Sequence, residues 1–253
     1  MPITDLISIP PNINRGLNSA RQITMLSLLG NPRGSYDQEC RSITHPTLRT
    51  LVVTKSVGPF RVTGLSPAVE SLIKVIDDIK SEKPAVFQGL GTAGMLCARF
   101  VRNSTTAISN HSWGMAIDLN LNGQLDRPGN GKTQSGLAEI APIFNRHKWY
   151  WGAGFPREDA MHFELSDQLV RELHSAGAFG NVPHPLPEPA LSIGDRGRQV
   201  KLLQEKLNAN GASLETDGEF GRGTLAAVMA FQAANGLTVD GIVGRATRKA
   251  LGF

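Results

Sequence analysis

The 253-residue sequence contains only two cysteines, Cys40 and Cys97. Two cannot staple a chain this long, and neither sits in a Cys-x-x-Cys pair of the redox or metal-binding kind. Two buried thiols are the expected state, with a disulfide formed after export as the alternative. Long apolar runs are also missing. None approaches the ~18–20 residues that a membrane-spanning helix requires, so membrane insertion is not expected. Met1 to Asn14 carry Asp5, no Lys or Arg, and three prolines at Pro2, Pro10 and Pro11. That is no secretory signal, so an extracellular substrate would be reached from the cytoplasm only by release on lysis or by export along another route. Lys/Arg clusters interleaved with aromatics are absent as well. The net charge of +4 attracts polyanions and by itself decides nothing between them; without such clusters nucleic acid is not expected as a partner.

What remains is a soluble globular composition, 40% hydrophobic and 19% charged, organised in two parts. Pro183, Pro185, Pro187 and Pro189 forbid helix and remove ladder donors, so residues 181–189 read as an extended, semi-rigid linker. It separates a larger domain over 1–180, whose motif-bearing part is about 85–175, from a small domain over 190–253. In the larger part, Val69, Leu72, Ile73, Ile76 and Ile79 fall at helical spacing behind Pro67 and predict a helix over 67–81. Ala85–Phe87 reads as a short strand, as do the stretch around Gly114–Asn120 and His162–Leu165; Leu137–Phe144 reads as helical. Helix and strand do not alternate as a doubly wound sheet would require, so the class is α+β with a small sheet. In the smaller part, Asp217-Gly218 through Thr224 is echoed by Asp240-Gly241 through Thr247. Each copy is a turn followed by a helix start, which predicts an all-α three-helix domain. It has no His or Cys.

The chemistry is concentrated in two stretches, Ser109–Asp118 and Glu158–Glu164. A catalytic zinc needs three protein ligands from imidazole and carboxylate, with a fourth position open. His111, Asp118 and His162 supply such a set. Strand alternation puts Ala116, Asp118 and Asn120 on one face and the apolar Ile117 and Leu119 on the other. A carboxylate flanked by Ile and Leu needs a partner, and a metal is the best one available. Asp159, three positions before His162, suits a general base that takes the proton from zinc-activated water. Glu158 is its nearest substitute. Glu164 shares a strand face with His162 and either orients that ring or is a solvated strand residue.

The pattern Ser-x-His-x-x-Gly-x-Ala-x-Asp, met by Ser109, His111, Gly114, Ala116 and Asp118 and followed by Asp-x-x-His at Asp159 and His162, resembles the zinc peptidases of the Hedgehog/DD-peptidase fold. That resemblance implies a Zn2+ ion on His111, Asp118 and His162, Asp159 as base, and an upstream arginine that steadies the substrate. Arg99 is the favoured candidate and Arg102 the second. Ser109, Trp113 and Trp151 are further candidates for substrate contact. Leu191–Gly197 with Val200, Leu203 and Gln204, together with the two Asp-Gly-x-x-Gly turns, resembles the three-helix peptidoglycan-binding domain of wall hydrolases. The expected activity is an endolysin-like, zinc-dependent peptidoglycan endopeptidase that acts as a monomer, with the L-Ala–D-Glu bond as a candidate target. The alternatives are a D-Ala-D-Ala carboxypeptidase and, from another class, a non-catalytic wall-binding protein. Residues 1–49 match no motif.

Overall fold

The computed structural model describes residues 1–180 and 190–252. By contact the chain divides into two units, Met1–His184 and Pro185–Phe253. The proline-rich segment expected as a linker, residues 181–189, lies outside the described residues.

In chain order the first unit runs β1 (Leu6–Ser8), α1 (Gln22–Leu29), α2 (Pro46–Thr50), β2 (Val52–Val57), β3 (Phe60–Leu65), α3 (Ser66–Glu82), α4 (Pro84–Gly89) and β4 (Leu90–Gly94). It continues through β5 (Ala116–Leu121), β6 (Gln124–Leu125), β7 (Lys132–Gln134), α5 (Ser135–Arg146), β8 (Trp149–Trp151), β9 (His162–Leu165) and α6 (Asp167–Ser175). Every strand pairing among these is antiparallel. The main sheet has the order β4-β5-β9-β8, with β6 paired to β5. The architecture is α+β.

The expected helix over 67–81 is α3, which buries Ala68, Val69, Leu72, Val75, Ile76 and Ile79 along one stripe. Its Pro67 sits in the first turn, where the missing N–H leaves no bond unmade. Pro84 does the same for α4, and this corrects the reading of Ala85–Phe87 as a strand. Three consecutive apolar residues fit either period, and the proline at the helix start decides between them. Phe87 N then donates to Lys83 O at 3.0 Å.

The cysteines also depart from expectation. Cys40 and Cys97 form a disulfide with their Cα atoms 4.9 Å apart. The cause is a short antiparallel contact between two loops. Arg41 N donates to Ala98 O at 3.2 Å, Ala98 N donates to Arg41 O at 2.9 Å, and Phe100 N donates to Asp37 O at 3.0 Å. Those bonds lay residues 37–41 alongside 97–100, outside the core where free thiols would be buried.

The second unit comprises α7 (Arg198–Ala209), α8 (Arg222–Ala234) and α9 (Arg245–Leu251) around Val200, Leu203, Leu207, Val228, Val243 and Leu251. The internal repeat has a physical basis. Buried Gln204 donates through Nε2 to Asp217 Oδ1 (2.7 Å), Glu219 O (3.0 Å) and Thr224 Oγ1 (3.2 Å), and accepts from Gly218 N at 2.9 Å. Gln232 repeats this with Asp240 (2.8 Å), Ile242 (3.0 Å), Thr247 (3.1 Å) and Gly241 N (2.9 Å). Each amide is fully satisfied, which is what permits a polar side chain inside so small a core.

One glycine sets where the first unit places its chemistry. Gly114 has φ +59° and ends a 3-10 turn over Asn110–Trp113. A Cβ there would lie 2.9 Å from the Cα of Gly64 in β3. Both the left-handed backbone and the close approach exclude a side chain. Gly114→Ala is expected to destabilise the protein by about 1–3 kcal/mol from backbone strain, before the clash is counted. Urea unfolding measures this, and an alanine variant as stable as the parent would contradict the close approach.

Candidate metal centre

Pairing of β5 with β9 places Asp118 directly opposite His162. The 3-10 turn, stopped by Gly114, brings His111 to the same point. His111 Nε2 lies 3.2 Å from Asp118 Oδ1 and 3.2 Å from His162 Nδ1, and His162 Nδ1 lies 3.1 Å from Asp118 Oδ1. Among the described residues these three form the one cluster of His, Cys, Asp and Glu donors converging as a metal site would. Tetrahedral donors at ~2.0–2.1 Å from a zinc ion are roughly 3.3 Å from each other, so the spacing fits.

The outer faces of both rings are already committed. His111 Nδ1 is 2.8 Å from Met95 O, an acceptor, so that nitrogen carries a proton and Nε2 is the ring atom turned to the cluster. His162 Nε2 is 3.0 Å from Glu164 Oε2, so its proton points there and Nδ1 faces inward. Two ring nitrogens and a carboxylate oxygen therefore meet at one point, an arrangement that requires a cation. Without a metal, a proton on His162 fills that need. Burial opposes charging this ring, but the hydrogen bonds and charges of Asp118 and Glu164 outweigh it and raise the pKa to about 10. Asp118 is held far below the ordinary Asp range, since His111 and His162 outweigh the effect of its burial.

Asp159 stands beside this cluster. Its Oδ1 is buried and accepts no hydrogen bond from the protein. Burial raises its pKa above the ordinary Asp value; the Asp118 and Asp126 charges add to the rise while His162 and His111 oppose it. The backbone fixes its place, with Asp159 N donating to Gly152 O at 3.0 Å and His162 N donating to Asp159 O at 3.1 Å. A Cβ on Gly152 would fall 2.5 Å from Asp159 O, so only glycine lets this turn close. Glu158, the substitute considered for Asp159, is turned away, its Oε1 accepting from Gly131 N at 2.7 Å.

The arginines separate. Arg99 is half-buried and close enough to Asp118 and Asp159 for both charges to act on it. Its pKa is nevertheless lowered, by burial first and by the charge of Arg102 second. Ser112 Oγ accepts from Arg99 N and donates to Arg99 O, both at 3.1 Å, which ties Arg99 to the turn carrying His111. Arg102 is exposed and donates to Gln38 O at 2.9 Å. Ser109 is buried at the start of the turn, its N–H donating to Arg99 O at 3.1 Å. Trp113 and Trp151, expected as substrate contacts, are fully buried. Their indole N–H groups donate inward, to Gly30 O at 3.0 Å and Ala160 O at 2.7 Å, so both are core residues.

Comparisons with known proteins match both units. Residues 102–165 match a family model described as D-alanyl-D-alanine carboxypeptidase, and residues 196–251 match one described as a peptidoglycan binding domain. The first match spans His111, Asp118, Asp159 and His162. The chain is 48% identical over 60 residues to the zinc D-Ala-D-Ala carboxypeptidase of Streptomyces albus G, covering 22% of this chain and 24% of that protein. It is 48% identical over 64 residues to an N-acetylmuramoyl-L-alanine amidase of Bacillus licheniformis, covering 24% of this chain and 18% of that one. The chain thus spans no more than about a quarter of the length of these two relatives. Among solved structures, the Burkholderia AP3 phage endolysin is similar at 50% identity over 24% of each chain, with a TM-score of 0.24.

The protonation of His162 makes a prediction. Its folded-state pKa lies above the ordinary value near 6.5, so the metal-free ion cluster contributes stability that is complete below that pH and lost as pH rises through about 10. At neutral pH, zinc uptake must displace this proton. Calorimetry in buffers of different ionisation enthalpy should show about one proton released per zinc, with affinity weakening as pH falls. Zinc binding without proton release would contradict the arrangement.

Proposed function

We propose that this chain, which joins a zinc-peptidase domain to a peptidoglycan-binding domain, hydrolyses a peptide bond in the stem peptides of bacterial peptidoglycan. The observation that carries the reading is the convergence of His111, Asp118 and His162 beside a carboxylate, Asp159, that has a buried and unpartnered oxygen. Zinc, when bound there, supplies Lewis acidity that polarises a carbonyl and lowers the pKa of water to about 7. His111, Asp118 and His162 hold the ion. Asp159 takes a proton from the attacking water as the C–O bond forms, and returns it to the amine nitrogen as the C–N bond breaks. Burial makes its carboxylate a stronger base than an exposed aspartate. Arg99, whose guanidinium bonds Phe100 O at 2.9 Å and lies within electrostatic reach of Asp118 and Asp159, holds the substrate carbonyl or a nearby carboxylate.

The finer reading is an endolysin-like endopeptidase, with the L-Ala–D-Glu bond as the candidate target and the domain over 190–253 retaining the enzyme on the wall. The separation of the chain into two contact units supports that division of labour. A second reading, D-Ala-D-Ala carboxypeptidase, is favoured by the description of the family matched over 102–165. Mass spectrometry of material released from purified peptidoglycan distinguishes them. Cleavage after L-Ala leaves peptides with a new N-terminal glutamate, whereas the carboxypeptidase releases free D-alanine. Intact stem peptides after digestion would leave only wall binding.

The base and a ligand should fail differently. Asp159→Asn keeps size and removes only the basic carboxylate, so zinc content and fold should persist while turnover falls ~10²–10⁴-fold, about 3–5 kcal/mol of barrier. Asp118→Asn should lower zinc occupancy together with activity. Turnover and zinc content measured on both variants decide the roles. Near-full activity in Asp159→Asn would place the base elsewhere, and loss of zinc from it would make Asp159 a ligand.

A further inference from the structure

Residues 18–22 carry no motif, yet they touch both segments that bear the site histidines. On the His162 side, Ser19 Oγ donates to Glu164 Oε1 at 2.6 Å. Ser19 also forms an isolated antiparallel bridge with Ser166, and Asp167 N donates to Asn18 O at 2.9 Å. On the His111 side, Asn110 Nδ2 donates to Ala20 O at 2.9 Å, and Ile108 N donates to Gln22 Oε1 at 2.6 Å. Asn110 Nδ2 also donates to Glu164 Oε2 at 2.8 Å, which closes a ring of contacts through Ser19, Glu164, Asn110 and Ala20.

Glu164 is the hub. It is buried, and its Oε2 accepts from both His162 Nε2 and Asn110, while its Oε1 accepts from Ser19. A carboxylate behind a ligating histidine fixes the ring's tautomer and raises its basicity, but only while the carboxylate itself cannot turn. Rotation of Glu164 would leave Oε1 buried without a donor unless Ser19 followed it. The hydroxyl of Ser19 therefore locks the carboxylate in the orientation that serves His162.

We propose that residues 18–22 form a positioning clamp for the zinc centre, with Ser19 acting through Glu164 on His162 while Ala20 and Gln22 hold the approach to His111. This rests on the zinc-centre reading above. It assigns a task to a stretch that would otherwise read as a packing segment, and it makes Ser19 and Glu164 positioning residues.

The test is zinc affinity by chelator competition on the full chain, with thermal unfolding of each metal-free variant alongside. Glu164→Gln should bind zinc about 10–100-fold more weakly, the usual effect of losing a partner behind a metal-bound histidine. Ser19→Ala should lose about three- to tenfold, the weight of one hydrogen bond, and Ser19→Thr should restore affinity by restoring the hydroxyl. Because Ser19 acts through Glu164, the double variant Ser19→Ala/Glu164→Gln should be no weaker than Glu164→Gln alone. A packing role would lower the metal-free melting temperature and leave zinc affinity as in the parent. That result, or additive losses in the double variant, overturns the proposal. Should Glu164→Gln fail to fold, the Ser19→Ala and Ser19→Thr pair decides. A parent protein that binds no zinc would instead remove the zinc-centre reading itself.

Discussion

Three electron-pair donors aimed at one point repel one another unless a cation stands among them, and this constraint organises the first unit. His111, Asp118 and His162 come from a 3-10 turn and two neighbouring strands, so no local sequence preference brings them together. Antiparallel register sets Asp118 against His162, and the left-handed Gly114 turns the chain so that His111 arrives at the same place. The outward nitrogens are bound by Met95 O and Glu164, which leaves the rings no alternative use. A cluster satisfied in every direction but one is preorganised for the ion that completes it.

The surrounding structure keeps that cluster rigid while leaving one carboxylate free to act. Trp113 and Trp151 fill the core and bond to backbone carbonyls, which fixes the turn and strand on which the site is built. Asp159 is held by its backbone alone, through Gly152 and His162, so one carboxylate oxygen stays without a protein partner. A structural carboxylate would be expected to use its oxygens in hydrogen bonds, as Glu164 does. Glu164, bonded to three side chains, is an orienting group. Asp126 and Asp167 share the bare buried oxygen of Asp159, and what sets Asp159 apart is that it lies within reach of His111, Asp118 and His162.

Much of the site was legible because its residues fall within two short stretches whose spacing reports their chemistry. The strands bearing Asp118 and His162, the stripe of α3 and the turn repeats of the second unit follow from local periodicity and turn residues. What escaped was non-local. Ser19 lies 145 positions from the carboxylate it bonds, and nothing in Asn18–Gln22 marks it. The Cys40–Cys97 pairing depends on two loops meeting, which spacing alone does not show. Alternation gives Glu164 a face and not what covers it, so the sequence alone does not choose between an orienting and a solvated role. Ala85–Phe87 reads as a strand only because three apolar residues carry no period; Pro84 is the signal that a helix starts there. Gln204 and Gln232, each following an apolar core residue at matching places in the repeat, could have been noticed as a pair.

The central claim is that two imidazoles and one carboxylate bind a single zinc ion. X-ray absorption at the zinc edge, on protein loaded with one equivalent, addresses it most directly. A four-coordinate shell of nitrogen and oxygen at ~2.0–2.1 Å is predicted, with outer-shell scattering from two imidazole rings that falls to one ring in His162→Ala. A six-coordinate oxygen shell, a sulfur ligand, or a spectrum unchanged by His162→Ala would contradict the account.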